Sequence, residues 1–260
     1  CKPIPVTETM SCVNNGIGTY SGEAAHCGAV PPQTYAVIVA AGSGRRAGGG
    51  LPKQFHLLAG QMVFLYAVRA FLRADAATHI IVVVHPDYRE LASEGLSRLC
   101  EEMPFQYDVV DGGATRWQSV KNGLTVIPDD VNGLVAVHDG ARPLVTAEMI
   151  AEGWKRGAET GACVAAVPVT DSLRVIGNGG SSQAVDRSRY MAVQTPQVFD
   201  TRLLKSAYSE LRRDMFTDDA SVVEACGRAI SIFPGDVDNI KITSPSDFGT
   251  AEMLLNRRGK

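Results

Sequence analysis

The chain has 260 residues, with 45% hydrophobic and 20% charged side chains and a net charge of −3. That length suits one large domain or two small ones with a real core, and it needs no disulfide or metal staple. The slight acidic excess argues against a general nucleic-acid or anionic-membrane binder, since counterion release needs surplus Lys and Arg. It leaves room for a local basic pocket that holds a small polyanion.

The first 34 residues are rich in Gly, Thr, Ser and Pro and show no periodic apolar face. They also lack the basic start and apolar centre of a secretory signal. They are expected to be a disordered tail or a product of processing, apart from a domain over 35–260. The six cysteines, Cys1, Cys12, Cys27, Cys100, Cys163 and Cys226, include no CxxC pair. Buried free thiols in a reducing, cytoplasmic setting are therefore expected, with no zinc site. No apolar run reaches the roughly 18 residues of a membrane span.

From Tyr35 the pattern is regular. An almost wholly apolar run over 35–41 predicts a buried parallel strand. A glycine-rich loop follows over 42–52. Phe64, Leu65, Val68, Phe71 and Leu72 then recur at helical spacing. HIIVVVH at 79–85 predicts a second strand, and a helix follows over 88–100. Further strands are expected at 107–111, 134–138 and 162–168, with helices at 115–126 and 146–157 between them. This alternation implies an α/β, Rossmann-like architecture with a mostly parallel sheet flanked by helices. Ligands of such sheets lie beyond the carboxyl ends of the strands. The polar segments 42–53, 111–116 and 138–143 each follow a strand, so they should converge on one edge.

The stretch 172–189 breaks the rhythm. It is polar, contains Gly177, Gly179 and Gly180, and has short β-prone pieces on either side. A projecting β-hairpin arm over about 172–190 fits it. Helices are expected over 202–211 and 218–226, the second opened by Thr217 and two acids. A late strand at 229–233 and a closing helix at 247–255 complete the pattern.

The loop AAGSGRR at 40–46 leads to PKQF at 52–55. Its glycines let backbone N–H groups approach phosphate oxygens, and successive N–H groups form an anion nest. Arg46 and Lys53 add fixed positive charge. Such cations stabilise the charge that builds on phosphorus and leaving oxygen during nucleotidyl transfer. A Walker loop is excluded because Gln54 follows Lys53, and the dinucleotide fingerprint is matched only loosely at Gly42, Gly44 and Ala47. A surface loop with scattered basic residues is the plain alternative. Asp139, at the end of an apolar strand, suits a Mg²⁺ partner or a hydroxyl acceptor, or a simple turn residue. Asp238 is a weaker second metal candidate, and His138 reads as strand-end packing.

AAGSGRR and PKQF resemble the signature of the sugar-phosphate nucleotidylyltransferases. VDGGATR at 110–116, VHDGARP at 137–143, VDR at 185–187, TPQ at 195–197, TDDAS at 217–221 and DNIK at 238–241 narrow the resemblance. Together, in order and over roughly 35–255, they resemble the 2-C-methyl-D-erythritol 4-phosphate cytidylyltransferases of the non-mevalonate isoprenoid pathway. Two departures are mild: Gly140 stands where the family usually has alanine, and the run from Ala47 through Gly48, Gly49 and Gly50 is unusually glycine-rich.

The resemblance implies transfer of CMP from CTP to that sugar-alcohol phosphate, with release of pyrophosphate and help from Mg²⁺. It implies a triphosphate site at Ala40, Ala41, Gly42, Gly44, Arg46 and Lys53, and a base and ribose site at Gly112 and Ser119. The double glycine at 112–113 reads otherwise as a tight turn. Asp139 falls at the metal and substrate edge. The acceptor phosphate is already an anion and needs cations rather than a general base. Arg142, Arg187 and Lys241 are the candidates, with Ser172 and Thr195 as hydroxyl partners. Lys241 matches the family's catalytic lysine, joining Arg46 and Lys53. The resemblance also implies a homodimer in which the arm lends Arg187 to the neighbouring subunit. Alone, Arg187 would read as a solvated hairpin charge. Ribitol-5-phosphate cytidylyltransferase is the nearest rival, and a non-catalytic nucleotide-binding module on the same fold is the rival of another class.

Overall fold

The structure, a computed structural model, describes residues 9–11, 33–42, 50–210 and 216–258. The sheet is centred on three apolar strands, β2 (Gln33–Ala40), β5 (His79–Val84) and β7 (Gly133–Asp139), with β2 parallel to both others. Successive side chains of a strand point to opposite faces. Ala36, Ile38 and Ala40 therefore join one core cluster, and Tyr35 and Val37 join another.

The helices sort themselves onto these two faces. Against the first lie α1 (Val63–Ala74), α2 (Arg89–Glu102) and α4 (Ala147–Thr160), through Phe64, Phe71, Leu96, Ile150 and Trp154. Against the second lie α3 (Arg116–Leu124), α5 (Thr201–Glu210) and α6 (Asp219–Ala225), through Val120, Leu204, Tyr208 and Val223. A smaller third cluster seats α7 (Ser246–Arg258) on Leu58, Val63 and Leu144 through Ala251 and Leu254. Side-chain caps set the helix starts. Thr115, Thr146 and Asp218 accept the backbone N–H of Gln118, Met149 and Ser221, while Gly161 at φ 76° closes α4.

The full sheet has eight strands in the order β1-β6-β5-β2-β7-β11-β8-β12. Here β1 is Thr9–Ser11, β6 is Gln106–Asp111, β8 is Ala162–Pro168, β11 is Met191–Asp200 and β12 is Ser231–Pro234. β1 and β11 run against the others. β3 (Leu57–Leu58) and β4 (Gln61–Met62) form a separate small hairpin.

Two of these strands differ from the sequence expectation. Thr9–Ser11 lies inside the stretch expected to lack structure, yet it pairs antiparallel with β6. β11 fills a stretch for which no strand is predicted. Its ladder explains why: pairing with β8 shifts between Val193 and Gln197, around Pro196, where no N–H is available to donate. Gln194, Thr195 and Gln197 are buried polar residues in that same stretch, so the apolar run that marks a strand is absent.

Within the expected arm, β9 (Arg174–Ile176) pairs antiparallel with β10 (Ser182–Ala184), separate from the main sheet. All six residues are exposed.

Candidate active site

The carboxyl ends of β2, β6 and β7 and the segment after β12 surround a cleft of about 640 Å³. It is lined by Ala41, Gly42, Lys53, Gly113, Arg116, Ser119, Asp139 and Lys241, among others. The convergence expected of segments 42–53, 111–116 and 138–143 is therefore present, and the segment after β12 adds Lys241.

The cleft floor depends on close backbone approach. The N–H of Gly112 donates to the Val84 carbonyl at 2.7 Å. A Cβ at Gly112 would lie 2.4 Å from the Ala41 Cβ, so only glycine lets the β6 end meet the β2 end here. Ser119 Oγ accepts from the Gly113 N–H at 3.1 Å and donates to the Thr115 carbonyl at 2.9 Å. Gln54, whose place after Lys53 excludes a Walker loop, donates from Nε2 to the carbonyls of Ala40 (2.6 Å) and Gly42 (2.8 Å). It thereby pins the start of the glycine-rich loop beside Lys53.

Asp139 is the electrostatic centre. Lys241 Nζ lies 2.9 Å from its Oδ2, Arg116 Nε lies 3.6 Å from Oδ1 and Arg142 Nε lies 3.6 Å from Oδ2. Burial alone would raise the Asp139 carboxyl, but Arg116, Lys241 and Arg142 outweigh it and hold it well below the usual carboxylate range.

Each arginine is tied down elsewhere. Arg116 makes a two-point pair with Asp219, NH1 to Oδ1 at 3.1 Å and NH2 to Oδ2 at 2.7 Å. Burial would lower the Arg116 guanidinium; the Asp219 carboxylate more than offsets this, and the group stays cationic. Arg142 NH1 donates to the Asn239 carbonyl at 2.7 Å.

Strand β11 holds both carboxylate segments. Thr195 Oγ1 accepts from the Asp139 N–H at 3.1 Å. Gln197 Oε1 accepts from the N–H groups of Asp219 and Ala220 at 3.0 and 2.9 Å. The His138 ring is fully buried, with Nε2 3.1 Å from the Arg142 carbonyl and Nδ1 3.1 Å from Thr195 Oγ1. The carbonyl only accepts, so Nε2 carries the proton and Nδ1 accepts from the threonine hydroxyl. Burial pushes the ring down to about 4. His138 is thus a neutral packing and hydrogen-bonding residue, as read from the sequence.

Of the expected site residues, Ala41, Gly42, Lys53, Ser119, Asp139 and Lys241 line the cleft. Ala40 accepts from Gln54 just below it, Gly112 braces its floor, and Arg142 and Thr195 support Asp139 from behind. Gly44 and Arg46 lie outside the described residues. Ser172 and Arg187 are exposed and do not line the cleft; Arg187 donates to the Thr170 carbonyl. Asp238, the weaker metal candidate, pairs with Arg257 and Arg258 of α7 and is not among the cleft's lining residues.

Arg116, Asp219, Gln54, Gln197 and His85 are not assigned roles in the sequence reading. His85 lines the cleft at the end of β5. Arg116 and Asp219 each sit in a quoted motif, but their pairing spans 103 positions and leaves no local pattern.

Comparison with known proteins identifies the family. Residues 34–257 match the 2-C-methyl-D-erythritol 4-phosphate cytidylyltransferase family. The enzyme of that name from Phocaeicola vulgatus is 42% identical over 223 residues, covering 85% of this chain and 99% of the relative. Its namesake from Porphyromonas gingivalis is 44% identical over 224 residues, covering 85% and 97%. Among solved structures, the 4-diphosphocytidyl-2C-methyl-D-erythritol synthase of Anaerococcus prevotii superimposes with a TM-score of 0.76 at 25% identity, covering 86% of this chain and 96% of that one. The chain belongs to the 2-C-methyl-D-erythritol 4-phosphate cytidylyltransferase family.

Proposed function

We infer that the chain transfers CMP from CTP to 2-C-methyl-D-erythritol 4-phosphate, giving 4-diphosphocytidyl-2-C-methyl-D-erythritol and pyrophosphate, the reaction of its family. The observation that carries the reading is the meeting of Lys53, Arg116, Asp139 and Lys241, from four segments, in one cleft beyond the strand ends.

CTP lies with its base and ribose against Gly112, Gly113 and Ser119 and its triphosphate over the loop that starts at Gly42. Lys53 and Arg46 stabilise the charge that develops on the α-phosphate and departing pyrophosphate. Lys241 sits within the same cleft and guides the acceptor phosphate, whose oxygen attacks without a general base. Arg142 and Thr195 keep Asp139 in place.

Among the described residues no group of three or more His, Cys, Asp or Glu could hold a metal alone. A lone carboxylate fits Mg²⁺, which takes one or two protein oxygens together with substrate phosphates and waters. Asp139, ionised and facing the cleft, is the residue to hold it. Bound with the triphosphate, Mg²⁺ would neutralise phosphate charge and orient the α-phosphate for in-line attack.

The acceptor side calls for a second copy of the chain. Ser172 and Arg187 lie off this chain's cleft, and the surface around them exposes Val175, Ile176, Tyr190, Met191 and Val193. In a homodimer the hairpin would bring Ser172 and Arg187 to the partner's acceptor and bury those apolar groups. No helix of the described residues is long and apolar enough to cross a membrane. Cys100, Cys163 and Cys226 are free thiols, which suits a reducing, cytoplasmic setting.

The test is pyrophosphate release from CTP with each acceptor. Turnover should be far faster with 2-C-methyl-D-erythritol 4-phosphate than with ribitol 5-phosphate. Equal or faster turnover of ribitol 5-phosphate would overturn the acceptor assignment, and no release with either would leave a binding module.

A further inference from the structure

Two arginines stand near Asp139 without touching it. At 3.6 Å, neither Arg116 Nε nor Arg142 Nε is within hydrogen-bond distance of the carboxylate. The buried Nε of Arg142 has no hydrogen-bond partner among the described residues. Each guanidinium is anchored by its other nitrogens, Arg142 to the Asn239 carbonyl and Arg116 to both oxygens of Asp219. The Asp219 anchor is firm. Its carboxylate is fully buried, accepts from the Tyr208 hydroxyl at 2.5 Å, and sits at the start of α6, where Gln197 takes its N–H. Among the described residues only Lys241, a 41% exposed side chain, closes on Asp139, at 2.9 Å.

We propose that Asp219 is a positioning residue for the transfer reaction: its two-point grip holds Arg116 back from Asp139, so the Asp139 oxygens stay open to the metal–nucleotide complex once Lys241 swings away. Two tethered cations stand off from Asp139, and Lys241, the cation in contact among the described residues, is partly exposed and has room to leave. Bidentate carboxylate pairing suits this role because it fixes the guanidinium plane as well as its position. Without the grip, Arg116 needs to move by less than 1 Å to reach hydrogen-bond range of Asp139. The proposal rests on the reading of Asp139 as the metal's carboxylate.

The test is calorimetric titration with CTP, without acceptor, in the presence and absence of Mg²⁺. For the unaltered protein Mg²⁺ should tighten CTP binding; if it does not, the metal reading falls and this proposal with it. In Asp219→Asn the tightening by Mg²⁺ should shrink about tenfold, in line with an occluded charged contact. Metal-free binding should change much less. Asp219→Asn combined with Arg116→Gln should regain most of the Mg²⁺ effect, since no guanidinium remains to close. Arg116→Lys keeps a charge beside buried Asp219 but loses the two-point grip, so it should show a partial loss even if Asp219→Asn does not fold.

A merely structural role would lower the fraction of binding-competent protein and leave the Mg²⁺ effect intact in every variant. That result would overturn the proposal while leaving the metal reading standing. A double variant worse than Asp219→Asn alone would also overturn it, by showing that Arg116 contacts the nucleotide directly.

Discussion

Lys53, Arg116, Asp139 and Lys241 come from four segments of one chain and meet in a single buried-edged cleft, whereas Ser172 and Arg187 lie on an exposed stretch outside it. In the first group Arg116 pairs with Asp219 and Lys241 with Asp139, whose N–H donates to Thr195 of β11; in the second, Arg187 donates to the Thr170 carbonyl, with Ser188 on Asp186 beside it. The difference teaches that the cations gathered at the strand ends are preorganised within one chain, while the proposed acceptor residues Ser172 and Arg187 do not line that chain's own cleft. A polyanion is held by a preorganised cage, and the cage here is built where parallel strands end.

The strongest way to break this contrast is to remove a cation from the cleft. Lys53→Ala and Lys241→Ala should each lower pyrophosphate release by roughly 10²–10³-fold, the usual loss for one charged transition-state contact. Rates within tenfold of the unaltered enzyme would show that the cleft is not where transfer occurs.

Complementation sharpens the contrast next. Arg187→Ala and Lys241→Ala should each be nearly inactive alone. If the hairpins cross between subunits, mixed dimers carry one site with both changes and one intact site. Remixing should then restore about a quarter of normal activity when subunits exchange at random. No recovery after verified exchange would place Arg187 in its own chain's site or outside any site.

His138 tests how far the cleft's foundation depends on a neutral buried ring. Its folded value of about 4 lies below the ordinary 6.5, so the proton binds more tightly in the unfolded chain. The stability this contributes is complete above about pH 6.5 and is lost as pH falls toward 4. The change is about 3 kcal/mol for a shift of that size. Urea unfolding across this range should show the slope, and His138→Asn should flatten it. An unchanged slope in the variant would contradict the assignment.

A smaller effect is expected at the floor. Gly112→Ala forces a Cβ to 2.4 Å from the Ala41 Cβ and should cost about 1–3 kcal/mol in urea unfolding, with weaker CTP binding. Unchanged stability and affinity would show that the two strand ends do not need their close approach.

Much of this was readable from the chain itself, and the gaps have physical causes. The apolar runs at 35–41 and 79–85 are buried on both faces, which is why they stood out and became β2 and β5. β11 is an interior strand by position, but Pro196 interrupts its ladder and the polar side chains at 194, 195 and 197 hydrogen-bond neighbouring segments, so no continuous apolar run marks it. Lys53, Asp139 and Lys241 were legible because each sits in a motif of chemically apt residues. Arg116 was not, because its role comes from Asp219, 103 residues away, and from a carboxylate of another strand. The partners of Asp238 were hidden for the same reason: Arg257 and Arg258 belong to the last helix.

A crystal structure of the protein with CTP and Mg²⁺ tests the central claim most directly. It should show the triphosphate in the cleft with Lys53 within hydrogen-bond reach of its oxygens, and the Lys241–Asp139 contact replaced by Mg²⁺ on Asp139, leaving Lys241 free for the acceptor phosphate. A nucleotide bound elsewhere, or one touching Lys53 while Lys241 stays locked on Asp139, would contradict it.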